Sequence, residues 1–288
     1  MAGPRHHTKA MFHSTAMVPD YDQSVARLAA LVGLRVLEYG EQPEPEVGRR
    51  GGMTWIGDGS LEIGQPIAPG APPDRFVQRT GGGMQGVALW VEDLAATARH
   101  LEANASAMPV RLPQGFGFSS PRTTCGIQLE WSELSVPEDP RRGAPLPPLE
   151  RAPLLDVTHH AFVGALVDEP LEAAHRLAAL TGTETTFARA DAPPGEPAAG
   201  VSLGDCTLAL YRLASEASEE LWGRRHDRPR VSLLGVCVPD LGAARAALAD
   251  AGVRVLRETP GTLVLDPAAT GDVELAVVEA LLPGDPRA

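Results

Sequence analysis

The sequence predicts an α+β protein built of four βαβββ units, paired into two domains. A turn followed by an amphipathic helix occurs four times, at VPDYDQSVARLAALVG (18–33), VEDLAATARHLEANA (91–105), VDEPLEAAHRLAALTG (167–182) and VPDLGAARAALADAG (238–252). Each helix follows an apolar strand: FHSTAMV, GVALWV, HHAFVGAL and SLLGVCV. RLAALVG (27–33) and RLAALTG (176–182) are nearly identical, so the units are repeats.

In the first unit Val25, Leu28, Leu31 and Val32 share one helix face, and Gly33 stops the helix. LRVLEYG, GGMTWIG and SLEIGQP then alternate as strands. The second unit ends in GIQLEWSE, the third in TLALYRLA, and the fourth in TLVLDP and DVELAVVE. The units span roughly 10–67, 80–135, 152–213 and 228–282. Residues 1–9, with His6 and His7, read as a flexible tail. SVPEDPRRGAPLPPLERAP (135–153) carries six prolines, which keep it extended and out of a sheet interior. The expected organisation is an N-terminal domain at 10–135, a Pro-rich linker at 136–151 and a C-terminal domain at 152–288. DAPPGEPAAG (191–200) reads as a surface loop, and GFGFSSP (115–121) as a strand and loop on the rim of the first domain, with Ser119 and Ser120 as polar contacts.

The net charge of −12 argues against nucleic acid and anionic membrane as partners. Cys125, Cys206 and Cys237 are far apart, which suggests reduced thiols in a cytoplasmic protein rather than a disulfide framework. GGGM (81–84) lacks the Lys-Ser/Thr of a phosphate loop. The expected partner is a small molecule, with a homodimer left open.

FHSTAMVPD, GDGSLEIGQP, GGGMQGVALWVEDL and CGIQLEWSE together resemble the vicinal oxygen chelate superfamily, which includes glyoxalase, bleomycin-resistance and extradiol dioxygenase proteins. The resemblance implies that the paired units curl into two cup-shaped, open-barrel domains, and that a cup holds a divalent metal that chelates two oxygens of a substrate. It places His13, Glu62 and Glu130 at three of four ligand positions, and Gly86 at the fourth. Gln85 stands where another family histidine would, a weak substitute because neighbouring strand residues face opposite ways. One imidazole and two carboxylates suit Fe, Mn, Co, Ni or Zn, and three protein ligands leave positions open. Glu62 or Glu130 would then move a proton as general base. Trp90, with the parity of Gly86, is expected to line the pocket beside Gln85 and Gly86. In the C-terminal half His159, His160 and Glu274 are secondary candidates, while Ala209 and Leu233 stand at positions the family gives to ligands. The bland reading of Glu62 in LEI and Glu130 in LEW is a solvated strand glutamate.

These observations lead to a glyoxalase-like, metal-dependent isomerase, epimerase or lyase. The alternative is a metal-free drug- or metabolite-binding protein of the bleomycin-resistance type. An extradiol-type dioxygenase is a weaker third reading, since two histidines and one carboxylate are not visible.

Overall fold

The computed structural model describes residues 8–45, 47–134, 139, 141, 143–145, 148–149, 151–214 and 216–288. The tail histidines His6 and His7 and much of the linker lie outside the described residues.

The first unit comprises β1 (Ala10–Met17), α1 (Tyr21–Val32), β2 (Arg35–Gln42), β3 (Arg49–Ile56) and β4 (Gly59–Pro66). A short helix absent from the sequence expectation, α2 (Pro72–Thr80), leads to the second unit. That unit holds β5 (Gly83–Trp90), α3 (Leu94–Ala103), β6 (Val110–Leu112), β7 (Phe116–Phe118) and β8 (Gln128–Ser132). The third holds β9 (His159–Val167), α4 (Pro170–Thr181), β10 (Thr185–Ala188), β11 (Pro197–Ser202) and β12 (Thr207–Arg212). A further helix, α5 (Ser218–Trp222), precedes β13 (Arg230–Cys237), α6 (Leu241–Asp250), β14 (Val255–Thr259), β15 (Thr262–Leu265) and β16 (Leu275–Val278). β11 begins inside the stretch read as a loop, so only its first part is a connection.

The strands form two eight-stranded sheets, ordered β2-β3-β4-β1-β5-β8-β7-β6 and β10-β11-β12-β9-β13-β16-β15-β14. In each, the first strands of two units pair antiparallel at the centre, and each also pairs parallel with the last strand of its own unit. The sheets twist and curl into paired cups.

The acidic turns work as helix caps. Asp20, Asp93 and Asp240 each accept a hydrogen bond from a backbone N–H three residues on. α4 instead begins at Pro170, whose missing N–H costs nothing there. The helices cover one face of the sheets: Leu28, Leu31 and Leu177 join Leu61, Ile63, Leu129 and Trp131 in an apolar cluster that runs through both halves. None of the described helices is long and apolar enough to cross a membrane.

The halves dock through the β3–β4 turn. Asp58 accepts hydrogen bonds from His159 Nδ1 at 2.7 Å and from the His160 N–H at 3.0 Å, and lies 3.3 Å from Arg287 Nη1. These groups hold its carboxyl below the usual range despite burial, which acts the other way. Gly57 and Gly59 flank it because a Cβ at either would collide with His159 or His160. Asp58→Ala is therefore expected to lower unfolding free energy by about 1–3 kcal/mol, read as a shift of the urea midpoint.

Candidate functional site

The alternation of a strand decides which side chains reach the inside of a cup. On β4, Leu61 and Ile63 join the helix-side core, so Glu62 points into the N-terminal cup. On β8, Leu129 and Trp131 do the same, and Glu130 points in. The register pairs Thr15 with Glu62 and with Gly86, His13 with Ala88, and Ala88 with Glu130. His13, Glu62 and Glu130 thus come together, only 2%, 4% and 7% exposed. The glutamates are not solvated.

His13 sits between the carboxylates, with Nδ1 4.0 Å from Glu62 Oε2 and Nε2 3.9 Å from Glu130 Oε1. Nδ1 also lies 3.2 Å from Thr15 Oγ1 and 3.3 Å from the Ser14 carbonyl oxygen. Burial lowers the His13 pKa; Glu62 opposes this, while Arg49 and Arg141 add to it. Arg141, from the linker, donates to the carbonyls of Met11 and Phe12 beside it.

Two residues that the sequence reading missed complete the cluster. Arg49 Nη2 donates to Glu62 Oε1 at 2.6 Å, and Tyr39 Oη donates to the same oxygen at 3.1 Å. Arg49 Nε donates to Gln42. Burial alone would lower the Arg49 pKa, but Glu62, Tyr39 and Glu130 outweigh it and the net shift is upward. Only strand parity is legible along the chain: Arg49 shares its strand face with Met53, and the ladder register then pairs Met53 with Glu62. A Cβ at Gly51 would meet Tyr39 Oη at 2.8 Å, so glycine there makes room for the tyrosine.

The Glu130 pKa is pushed up to about 8, first by burial and then by the Glu62 carboxylate, with Arg49 pulling the other way. A carboxyl in this position is protonated near neutral pH.

These donors do not fit a divalent cation as arranged. The two carboxylates face opposite nitrogens of one ring, and Arg49 and Tyr39 already hold Glu62 Oε1. Glu62 Oε2 is the one buried carboxylate oxygen of the cluster without a hydrogen-bond partner among the described residues. Among the described residues, no group of three His, Cys, Asp or Glu is spaced to hold a metal. At the fourth position, a Cβ on Gly86 would meet the Gln128 carbonyl oxygen at 2.9 Å, so a histidine there would require β8 to move.

A cavity of about 320 Å³ opens in this cup. Arg49 and Glu130 are its charged lining residues; His13 and Glu62 lie behind them. Gln85 and Gly86 both line it, against the expectation of opposite faces. The cause is a β-bulge: Thr15 pairs with Gly86 and Ala16 with Met84, so Gln85 is an extra residue. Ser119 and Ser120 line the rim as expected, although Ser119 Oγ is taken by the Trp131 indole N–H at 2.6 Å. Trp90 pairs with Ala10 at the strand end and lies outside the cavity wall, which corrects its expected role.

The secondary candidates do not form a second site. The ladders place Phe162, Ala209, Leu233 and Ala276 at the positions of His13, Glu62, Gly86 and Glu130. All four belong to an apolar cluster that fills the C-terminal cup. His159 contacts Asp58 at the interface between the halves. His160 is buried against Ser14 and Cys206 and is pushed down to about 4 by burial and Arg287. Glu274 stands two residues before Ala276, near Arg224, His226 and the Met84 N–H.

Breaking the buried pair leaves an uncompensated charge, so Arg49→Met should cost about 3–5 kcal/mol in urea unfolding. The double change Arg49→Met with Glu62→Leu should recover most of it. A folded pKa raised above the unfolded one means that Glu130 favours folding at low pH and loses that contribution as pH rises through about 8. Glu130→Gln should therefore raise thermal stability relative to wild type above that pH and flatten its pH dependence.

Residues 12–117 match the family described as the Glyoxalase/Bleomycin resistance protein/Dioxygenase superfamily, a stretch that carries His13, Glu62 and Gly86 but ends before Glu130. No curated protein matches the chain. Among solved structures, a triple mutant of 4-hydroxymandelate synthase from Streptomyces coelicolor is similar in fold, with a TM-score of 0.68 at 16% identity, covering 96% of this chain and 95% of that one. Methylmalonyl-CoA epimerase from Mycobacterium tuberculosis aligns with a TM-score of 0.42 at 19% identity, over 47% of this chain and 94% of its own. The first likeness is one of fold alone, and the second is too weak to carry an argument. The family match thus covers most of the N-terminal half, and the C-terminal half repeats the strand order of that half.

Proposed function

We propose that the N-terminal cup binds a small oxygenated metabolite and moves a proton on a carbon next to a carbonyl, as in isomerisation, epimerisation or lyase chemistry. The observation that carries this reading is that Arg49 and Glu130 are the charged groups opening onto the cavity. Arg49 spends Nε and Nη2 on Gln42 and Glu62. Among the described residues no acceptor is bonded to its Nη1, which leaves an N–H edge for substrate oxygens. A guanidinium offers donors in a planar fork and stabilises a developing oxyanion electrostatically. In this reading Glu130 is the proton carrier: ionised it takes a proton from carbon, and protonated it returns one. Glu62 and Tyr39 hold Arg49 in place, and the apolar wall of Val47, Val87 and Phe118 excludes water.

A second reading, sequestration of a ligand without chemistry, is favoured by the same apolar wall, to which Pro72, Pro73 and Val110 contribute.

The test is proton exchange into deuterated water, followed by NMR on a panel of small 2-oxo and 2-hydroxy acids and their esters. The protein is first treated with chelator and its metal content is measured by elemental mass spectrometry. Exchange should survive chelation, with metal well below stoichiometric. Glu130→Gln should reduce the rate by about 10²- to 10⁴-fold while the ligand still binds. Arg49→Lys, which keeps the charge but loses the fork, should weaken binding and rate together. Near-stoichiometric metal whose removal abolishes exchange would overturn the metal-independent reading. Saturable binding without exchange would favour sequestration.

A further inference from the structure

A second cavity, of about 1180 Å³, lies between the two halves. Arg79 and Arg122 line it from the N-terminal half, and Arg176, Arg225, Arg228 and Arg230 from the C-terminal half. Four carboxylates share the wall: Asp168, Glu169, Glu172 and Asp227. Two of these are engaged, Glu169 with Arg212 at 3.1 Å and Asp227 with Arg228 at 3.2 Å. Among the described residues, no carboxylate lies within ion-pair distance of Arg79, Arg122, Arg176, Arg225 or Arg230. Four arginines without an ion-pair partner, Arg79, Arg122, Arg176 and Arg225, thus face Asp168 and Glu172 in a chain whose net charge is −12, while the buried Glu274 carboxylate partly offsets Arg230. Crowded like charges repel, and the arrangement calls for an anion.

Two of the arginines are held by backbone. Arg176 donates to the carbonyls of Asn104 and Ala105 at 2.6 and 3.1 Å. Arg230 donates to the Met84 carbonyl at 2.8 Å and lies over the Phe76 ring, 4.9 Å from its centroid. Each reaches across from the C-terminal half to the N-terminal one, so the cleft and the docking of the halves share the same side chains. His226, in the same wall and only 2% exposed, has no hydrogen-bond partner on either ring nitrogen among the described residues. Gln85, Pro121 and Gln128 line both this cleft and the cavity of the N-terminal cup, so the two spaces adjoin at the bulge in β5.

We propose that the arginine cleft between the halves binds a phosphate or similarly multivalent anionic arm of a ligand whose oxygenated head occupies the N-terminal cup. Arginine forks suit phosphate oxygens, and part of the array is already ordered before the anion arrives. The connection to the head group rests on the function proposed above, whereas anion binding stands on the cleft alone.

The test is calorimetric titration of the full chain with inorganic pyrophosphate at low and high salt. Binding should be saturable, one per chain, and weaker at high salt. Arg79→Gln and Arg225→Gln, both exposed and without structural bonds, should each weaken it about ten-fold, and Glu130→Gln should leave it unchanged. Absence of saturable binding to the folded wild type, or arginine variants that bind as the wild type does, would overturn the proposal. So would a short DNA duplex bound through the same arginines more tightly than pyrophosphate. Pyrophosphate binding that persists when no panel compound exchanges a proton would support the cleft and remove only the catalytic reading of the cup.

Discussion

Every strand has two faces, and along the central strands of both sheets the two faces are buried. Helices cover one, and the curl of the sheet closes over the other. A polar side chain on the inner face is largely shielded from water, and a one-residue slip would expel the whole helix-side core. It must find a partner or be replaced by an apolar residue. The two halves adopt these two solutions on one backbone plan. The N-terminal cup keeps His13, Glu62 and Glu130 and supplies Arg49 and Tyr39, which both donate to Glu62 Oε1. The C-terminal cup has Phe162, Ala209, Leu233 and Ala276 at the same places and is packed shut.

Charge balance then defines the chemistry open to the N-terminal cup. Two buried carboxylates with one guanidinium leave one negative charge too many, and the cluster resolves this by keeping a proton on Glu130. A carboxyl that gives up its proton only above neutrality, next to a fixed cation, is arranged for acid–base work. A metal and an arginine neutralise such a site differently. A metal needs several donors converging on one point, whereas an arginine spreads its donors over a plane and lets the carboxylates stay apart. The placement of the glutamates on opposite sides of His13 is of the second kind.

The contact between the halves does more than stabilise them. Asp58 and Arg287 fasten one side, while Arg224 and Arg230 reach from the C-terminal half to the backbone of residues 80–84 on the other. The latter side is also where the cup cavity meets the larger cleft. A bulge at Gln85 brings that residue to the shared wall. The histidines and the glutamate that looked like a second metal site are instead the polar lining of this contact.

The sequence by itself determined the repeat, because it follows from local periodicity, and the family resemblance put His13, Glu62 and Glu130 at equivalent places in repeated units, whereas only the packing of helices on one sheet face decided that they turn inward. What it lacked was anything that depends on distance across strands. Arg49 reaches Glu62 over a glycine gap, and no spacing along the chain encodes that reach. The ladder register puts Phe162 and Ala276, rather than His159, His160 and Glu274, at the C-terminal ligand positions, and the β9–β13 pairing carries the same two bulges as β1–β5, so the two halves correspond strand for strand. The arginine cleft is distributed over segments from Arg79 to Arg230, and only the packing of two halves against each other collects it.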